Sequence, residues 1–237
     1  EYMKYGHWKD IGFRLTGQAV MNYVFMFEEF WCAFCDKNDE LPERHELQPV
    51  RIPEQKDGYV ISYYDSPLRK DSISNDLYID LLSQAVDYVW FYTPYLMLGD
   101  GLMEAFVRAA ERGVDVRILM PGIPDKKIIF RMSHSYYQEL LDAGVKIYEY
   151  QPGFVHAKAC IFDDRICTVG TVNLDYRSLF LHFENNSLFY ESQIIQELKA
   201  DYEATLEKCV QMQPYDIKKY AFRWFFDGLL RIFAPLC

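Results

Sequence analysis

Two periods alternate along most of this chain. Short runs dominated by β-branched, aromatic and aliphatic residues at 59–63, 88–92, 114–120, 145–150, 157–162, 166–169 and 187–190 have the length and composition of strands. Between them, 75–86, 103–112, 126–143 and 192–209 repeat their apolar residues every three or four positions, as one face of a helix does. The punctuation agrees. Ser74 stands where an N-cap belongs, Gly113 and Gly144 close two helices, and Thr93-Pro94 and Pro121-Gly122 end two strands. Asp163-Asp164-Arg165 forms a turn between two adjacent strands. Strands alternating with helices of roughly 10 to 17 residues predict an α/β layered domain, a central and mostly parallel sheet flanked by helices.

The ends differ from this middle. Residues 11–15 alternate like a strand, and 18–34 form a helical, phenylalanine-rich run. From 36 to 58 the composition turns charged and polar with Pro42, Pro49 and Pro53, which reads as a linker between a first unit (1–35) and a second (59–212). The tail, 213–237, crowds aromatic residues from 217 to 235 with Lys218, Lys219, Arg223 and Arg231 among them. It suits an amphipathic helix in a membrane interface, or a terminal helix packed on its own domain. The chain opens on Glu1-Tyr2-Met3 with no apolar leader, inside an aromatic-rich motif, so we expect a piece cut from a longer protein.

Composition narrows the function classes. Half the residues are hydrophobic and 17% aromatic, enough for a large core and too much for a disordered chain. The net charge of −10 argues against nucleic acid as partner, since that binding rests on phosphate neutralisation by Lys and Arg. The six cysteines suggest no disulfide framework, and Cys32-x-x-Cys35 has no second pair to make a zinc site. Two small apolar residues on a helix, with reduced thiols on the cytosolic side, is the simplest reading.

The chemistry concentrates in one stretch. Phe154-Val155-His156-Ala157-Lys158 and, beyond the turn, Gly170-Thr171-Val172-Asn173 place a His, a Lys and an Asn on extended segments at spacings that let them share a face. A neutral imidazole beside a fixed ammonium and an amide suits attack on a phosphorus whose oxygens are negative.

His156-x-Lys158-x4-Asp163-x6-Gly170-Thr171-x-Asn173 resembles the HxKx4D motif of the phospholipase D superfamily with its trailing Gly-x-x-Asn. Asn173-x-Asp175-x-Arg177-Ser178 and Phe183-Glu184-Asn185 resemble the continuation seen in bacterial cardiolipin synthases; His182 departs from it, standing where Asn is usual. Thr93-Pro94-Tyr95 resembles that family's substrate-side loop, and Gly6-His7-Trp8-Lys9-Asp10 the segment after its first HxK motif. The resemblance therefore implies a C-terminal portion: a remnant of a first phospholipase D-like half, a linker, and a second such domain carrying the motif.

The same resemblance implies roles for the residues. His156 attacks the phosphodiester phosphorus or protonates the leaving alkoxide, Lys158, Thr171 and Asn173 hold the phosphate oxygens, and Glu184 accepts a proton from the far ring nitrogen of His156. Asp163, the third letter of the motif, joins the catalytic set, although its place at a turn suggests holding the strands or Lys158. Asp175 and Arg177 brace the loop. Asp10 is expected to orient the histidine of a first motif that this chain lacks; His7, His45 and His134 do not replace it. The implied reaction transfers a phosphatidyl group from one phosphatidylglycerol to another through a phosphohistidine, with no metal or organic cofactor, at the cytoplasmic face of the cell membrane. Alternatives are a phospholipase D or phosphodiesterase that delivers water, a nuclease of the superfamily, or an inactive half. Two copies pairing as a homodimer through their single motifs would complete a site.

Overall fold

The structure, a computed structural model, describes residues 2–35, 57–214 and 231. The first stretch holds α1 (Tyr2–Tyr5), β1 (His7–Lys9) and α2 (Val20–Phe34). The second opens with β2 (Tyr59–Asp65), α3 (Ile73–Gln84), β3 (Tyr88–Tyr92), β4 (Leu96–Met97), α4 (Asp100–Glu111) and β5 (Asp115–Pro121). It continues with α5 (Lys127–Ser135), α6 (Tyr137–Asp142), β6 (Lys146–Tyr150), β7 (Gly153–Val155), β8 (Ala159–Phe162) and β9 (Ile166–Gly170). Last come β10 (Leu174–Asp175), α7 (Tyr176–Phe180), β11 (Glu184–Tyr190), α8 (Gln193–Leu206) and β12 (Cys209–Gln211). Residues 36–56 of the expected linker (36–58) and the aromatic tail (217–235) lie outside the described residues, Arg231 apart.

Eight strands form one sheet in the order β12-β6-β5-β3-β8-β9-β11-β2. The β3–β5 and β5–β6 neighbours are parallel, each pair joined by a helical crossover. The other five neighbour pairs are antiparallel, so the sheet is mixed and not mostly parallel as predicted. The reason is connection length. A three-residue turn after β8 can only fold the chain back on itself, and five-residue α7 is too short to carry β11 over the sheet into parallel register.

Both faces of the sheet are covered, which explains the continuously buried Tyr88-Val89-Trp90-Phe91-Tyr92. Strand alternation sends Val89 and Phe91 into a core with Tyr78 and Leu82 of α3 and Phe106 of α4. It sends Tyr88, Trp90 and Tyr92 into a second core with Leu198 and Tyr202 of α8. Each fully buried Leu or Phe of these layers stabilises the fold by about 1.5–3 kcal/mol. Helix α2 lies on the edge strand β2, where the Asn22 amide donates to the Ser62 carbonyl at 2.7 Å and Tyr23 meets the Ser187 hydroxyl at 2.8 Å.

Several boundaries move. Residues 11–15 pair with no strand among the described residues; the ladder lies just before them, in β1. The cap of α3 is Ser72, whose hydroxyl accepts from the Asn75 amide at 3.1 Å, while Ser74 donates its hydroxyl to Asp65. The helix predicted over 126–143 is split at Tyr136, whose amide bonds the Ser133 carbonyl three residues back, a 3₁₀ turn. Chain beyond Leu206 leaves α8 to form the edge strand β12. Among the described residues no helix is long and apolar enough to cross a membrane.

Candidate active site

The site is built by a ladder that joins residues nearly 150 positions apart. Strands β1 and β7 pair in parallel, Trp8 opposite Phe154 and Lys9 opposite Val155, so one more step sets Asp10 beside His156. The Lys9 carbonyl accepts from the His156 amide at 2.7 Å and the Ala157 amide at 3.2 Å. Asp10 Oδ2 then lies 2.8 Å from His156 Nδ1. An ionised carboxylate can only accept, so Nδ1 carries the proton and Nε2 keeps its lone pair. Trp8 and Phe154 flank the imidazole, with centroids 5.2 and 6.1 Å from it. The approach requires Gly153: a Cβ there would run into the His7 backbone and push β1 away.

Lys158 follows two residues on. Its ammonium donates to the His156 carbonyl, and its own carbonyl accepts from the Gly170 amide at 3.2 Å. Burial pushes the Lys158 ammonium down to about 8, while Asp10, Glu184 and Asp175 act to keep its charge. An ammonium that has surrendered this much hydration binds a phosphate oxygen strongly.

On the other side of the same strand ends, Glu184 accepts from the Thr171 hydroxyl and from the Ser178 hydroxyl at 2.7 Å, with His182 Nδ1 at 3.5 Å. Arg177 donates through Nε to His182 Nε2 at 2.7 Å; a guanidinium has no acceptor, so the His182 proton sits on Nδ1, toward Glu184. Burial raises the Glu184 carboxyl above its ordinary value. Asp175 caps α7 by accepting from the Ser178 amide at 2.8 Å, and burial raises it too. The Asn173 amide N–H donates to the Ser178 hydroxyl at 3.0 Å, and its buried Oδ1 has no partner among the described residues. Gly170 permits this closeness, since a Cβ there would strike Asn186 and the Asn185 carbonyl.

Residues 78–206 match the family described as "Cardiolipin synthase, PLD-like domain", more than half the chain. The chain belongs to that family. A cardiolipin synthase 2 from Bacillus anthracis is 35% identical over 233 residues, covering 98% of this chain and 45% of that protein. An uncharacterized protein from Streptococcus mutans serotype c is 42% identical over 238 residues, 98% of this chain and 50% of the other. The chain thus spans about half the length of the curated relatives it matches. The phosphatidylserine synthase structure from Haemophilus influenzae aligns with a TM-score of 0.61 over 75% of this chain and 48% of its own, at 15% identity, which places the fold.

Within this cardiolipin synthase-like domain the expected site divides. His156 and Lys158 stand together, and Asn173, Thr171 and Glu184 line the adjoining strand ends. Three assignments change. Glu184 does not take the far ring nitrogen of His156, because Asp10 holds Nδ1 and Glu184 is engaged by Thr171, Ser178 and His182. Asp10, expected to serve an absent histidine, serves His156. Thr171 spends its hydroxyl on Glu184 and accepts from the Asn185 amide at 3.0 Å, which leaves it bracing Glu184 instead of facing a phosphate.

Asp163 is the fourth. Its carboxylate accepts from the amides of Val86 (2.8 Å), Asp87 (2.8 Å) and Tyr88 (2.7 Å), and its backbone sits at φ +50. Five residues of extended chain, about 16 Å, separate it from Lys158. It ties the hairpin to the start of β3, the strand-holding role that its place at the turn suggested, at the end of the hairpin away from His156 and Lys158. His7 and His134 pack away from the site: His7 Nδ1 meets the Tyr150 hydroxyl at 3.0 Å, and His134 stacks on Tyr137 beside Glu149. Trp8 and the Lys9 carbonyl belong to the site although sequence reasoning gives them no role there. Their signal is adjacency to Asp10 in an aromatic run.

Proposed function

We propose that this chain supplies one histidine station of a cardiolipin synthase that transfers a phosphatidyl group between two phosphatidylglycerol molecules. The observation that carries the reading is His156, with Nδ1–H held by Asp10 and Nε2 free, beside the desolvated ammonium of Lys158. In one station the Nε2 lone pair attacks the phosphorus, and the bond from phosphorus to the departing glycerol oxygen breaks. That oxygen takes a proton from a second histidine. The hydroxyl of another phosphatidylglycerol then attacks the phosphohistidine, its proton returns to the second histidine, and Nε2 is released. In the opposite station the same His156, protonated on Nε2, serves as the acid and then the base. Asp10 steadies the imidazolium in either case, and Lys158 offsets charge on the phosphoryl oxygens.

The second histidine comes from a first phospholipase D-like half, of which residues 1–35 would be the end, or from a second copy of this chain. Lipid substrates imply work at a membrane surface. Glu184, mostly buried at the neighbouring strand ends, would orient that second histidine by exchanging one of its present bonds from Thr171, Ser178 or His182. Incubating the protein that contains this chain with phosphatidylglycerol labelled at its phosphate tests the reading. Labelled cardiolipin and free glycerol support it; phosphatidic acid alone would turn it into a hydrolase.

A further inference from the structure

We infer that the Lys9–Asp201 ion pair is a positioning device that sets Asp10 against His156. The inference rests on the proposed function, in which His156 is the working imidazole, and it assigns Lys9 and Asp201 a part in that site. Lys9 Nζ lies 2.6 Å from Asp201 Oδ1, with side-chain exposures of 15% and 39%. Asp201 is itself fixed. Its Oδ2 accepts from the hydroxyl of Tyr92, a buried residue of the central strand β3, at 2.9 Å, and its carbonyl accepts from Thr205 at 2.7 Å. The pair therefore nails the end of β1 to both the sheet and α8.

The chain after Lys9 makes that anchor matter. From Asp10 to Thr16 it has no regular structure and runs along a cavity of about 950 Å³, whose walls include Asp10, Phe13, Phe189, Leu198 and Asp201. Ile11 and Phe13 pack against the second core, Phe13 edge-on to Phe189 at 5.2 Å, but Asp10 at the head of the strap is half exposed and has no such packing to hold it. Lys9 is the last ladder residue before it, and the one whose carbonyl also holds the His156 and Ala157 amides. One residue thus fixes the histidine backbone through its carbonyl and the carboxylate position through its side chain. Removing either charge leaves the other half-buried and unpaired, and the strap gains freedom at Asp10, the residue that must hold a 2.8 Å bond.

The test reads the bond directly and needs no turnover. In chain carrying ¹⁵N-histidine, the Nδ1 proton of His156 is followed by NMR, and its exchange with water is timed. Asp10→Asn identifies the resonance by abolishing its protection. Lys9→Met and Asp201→Asn are expected to exchange it roughly tenfold faster, the factor of one net hydrogen bond. Lys9→Arg, which preserves the pair, should restore near-parent exchange. Tyr92→Phe, the milder variant should the others not fold, should give roughly a threefold change by removing one support of Asp201. Asp163→Asn, which weakens the fold at the far end of the hairpin, should leave the proton unmoved. Unchanged exchange in Lys9→Met, or an equal change in Asp163→Asn, overturns the inference. Lys9-dependent exchange without any cardiolipin formation upholds it and counts against the proposed reaction alone.

Discussion

The hairpin of β8 and β9 has two ends, and they are built on opposite terms. At the Asp163 end a carboxylate is saturated by three backbone amides, and Asp164 is met by Lys199, Tyr88 and Gln196. At the His156 end burial takes hydration from an ammonium, and among the described residues an imidazole nitrogen and the Asn173 oxygen find no protein partner. One sequence motif, His156-x-Lys158-x4-Asp163, spans both. Its letters lie along one stretch of chain and divide the work between them. Satisfied groups stabilise, and groups left short of partners are available to a substrate.

The largest effect should come from dividing the motif. His156→Asn is expected to lower phosphodiester turnover by at least about 10³-fold with unfolding stability within about 0.5 kcal/mol of the parent. Asp163→Ala should do the reverse, costing about 1–3 kcal/mol in urea unfolding while properly folded protein retains its turnover. Equal losses of turnover in the two, at matched folded fraction, would erase the distinction between the ends.

Much of this contrast is legible in sequence, and the illegible part has a physical cause. The hairpin, its turn and the shared face of His156 and Lys158 follow from period-two alternation and local turn chemistry. The Asp10–His156 bond does not, because it depends on a three-residue parallel ladder between segments 146 residues apart, which leaves no periodic trace. Glu184 is legible as a paired acid but its partner is not, since its neighbours Thr171, Ser178 and His182 are set by how β9, α7 and β11 meet. The sheet is less parallel than predicted because helix-strand alternation counts crossovers and overlooks the short returns of β8, β9 and β11.

Lys158 offers the next effect, and its sign separates activity from stability. Its folded value, about 8, lies below the ordinary 10.5, so the unfolded chain holds more protons between those limits. Stability should therefore rise with pH from about 8 to 10.5, while turnover falls over the same window as the phosphate-binding charge is lost. Lys158→Met should cost roughly 10²–10³-fold in turnover and flatten the alkaline rise in stability. At pH 7 it should stabilise the fold by on the order of 2 kcal/mol by removing the buried charge. Urea midpoints and rates measured across pH 7 to 11 check all three; parallel movement of stability and rate would contradict a desolvated, working ammonium.

The smallest effect belongs to the opposite end and the opposite side of the pH scale. Burial works against the Asp164 carboxylate, yet hydrogen bonds from Lys199, Tyr88 and Gln196 hold it below its ordinary 3.8. A depressed carboxyl contributes stability above that ordinary value and loses it as pH falls through the folded one. Asp164 and Lys199 are 45% and 25% exposed, so solvent screens the pair and the contribution is no more than about 0.5 kcal/mol. Asp164→Asn should therefore lower the urea midpoint slightly at pH 6 and not at all at pH 2, with turnover at pH 7 unchanged. A larger loss at pH 2 than at pH 6 would mean that the turn is held by its φ +54 backbone geometry and not by charge, and that the two ends differ less in electrostatics than their partners suggest.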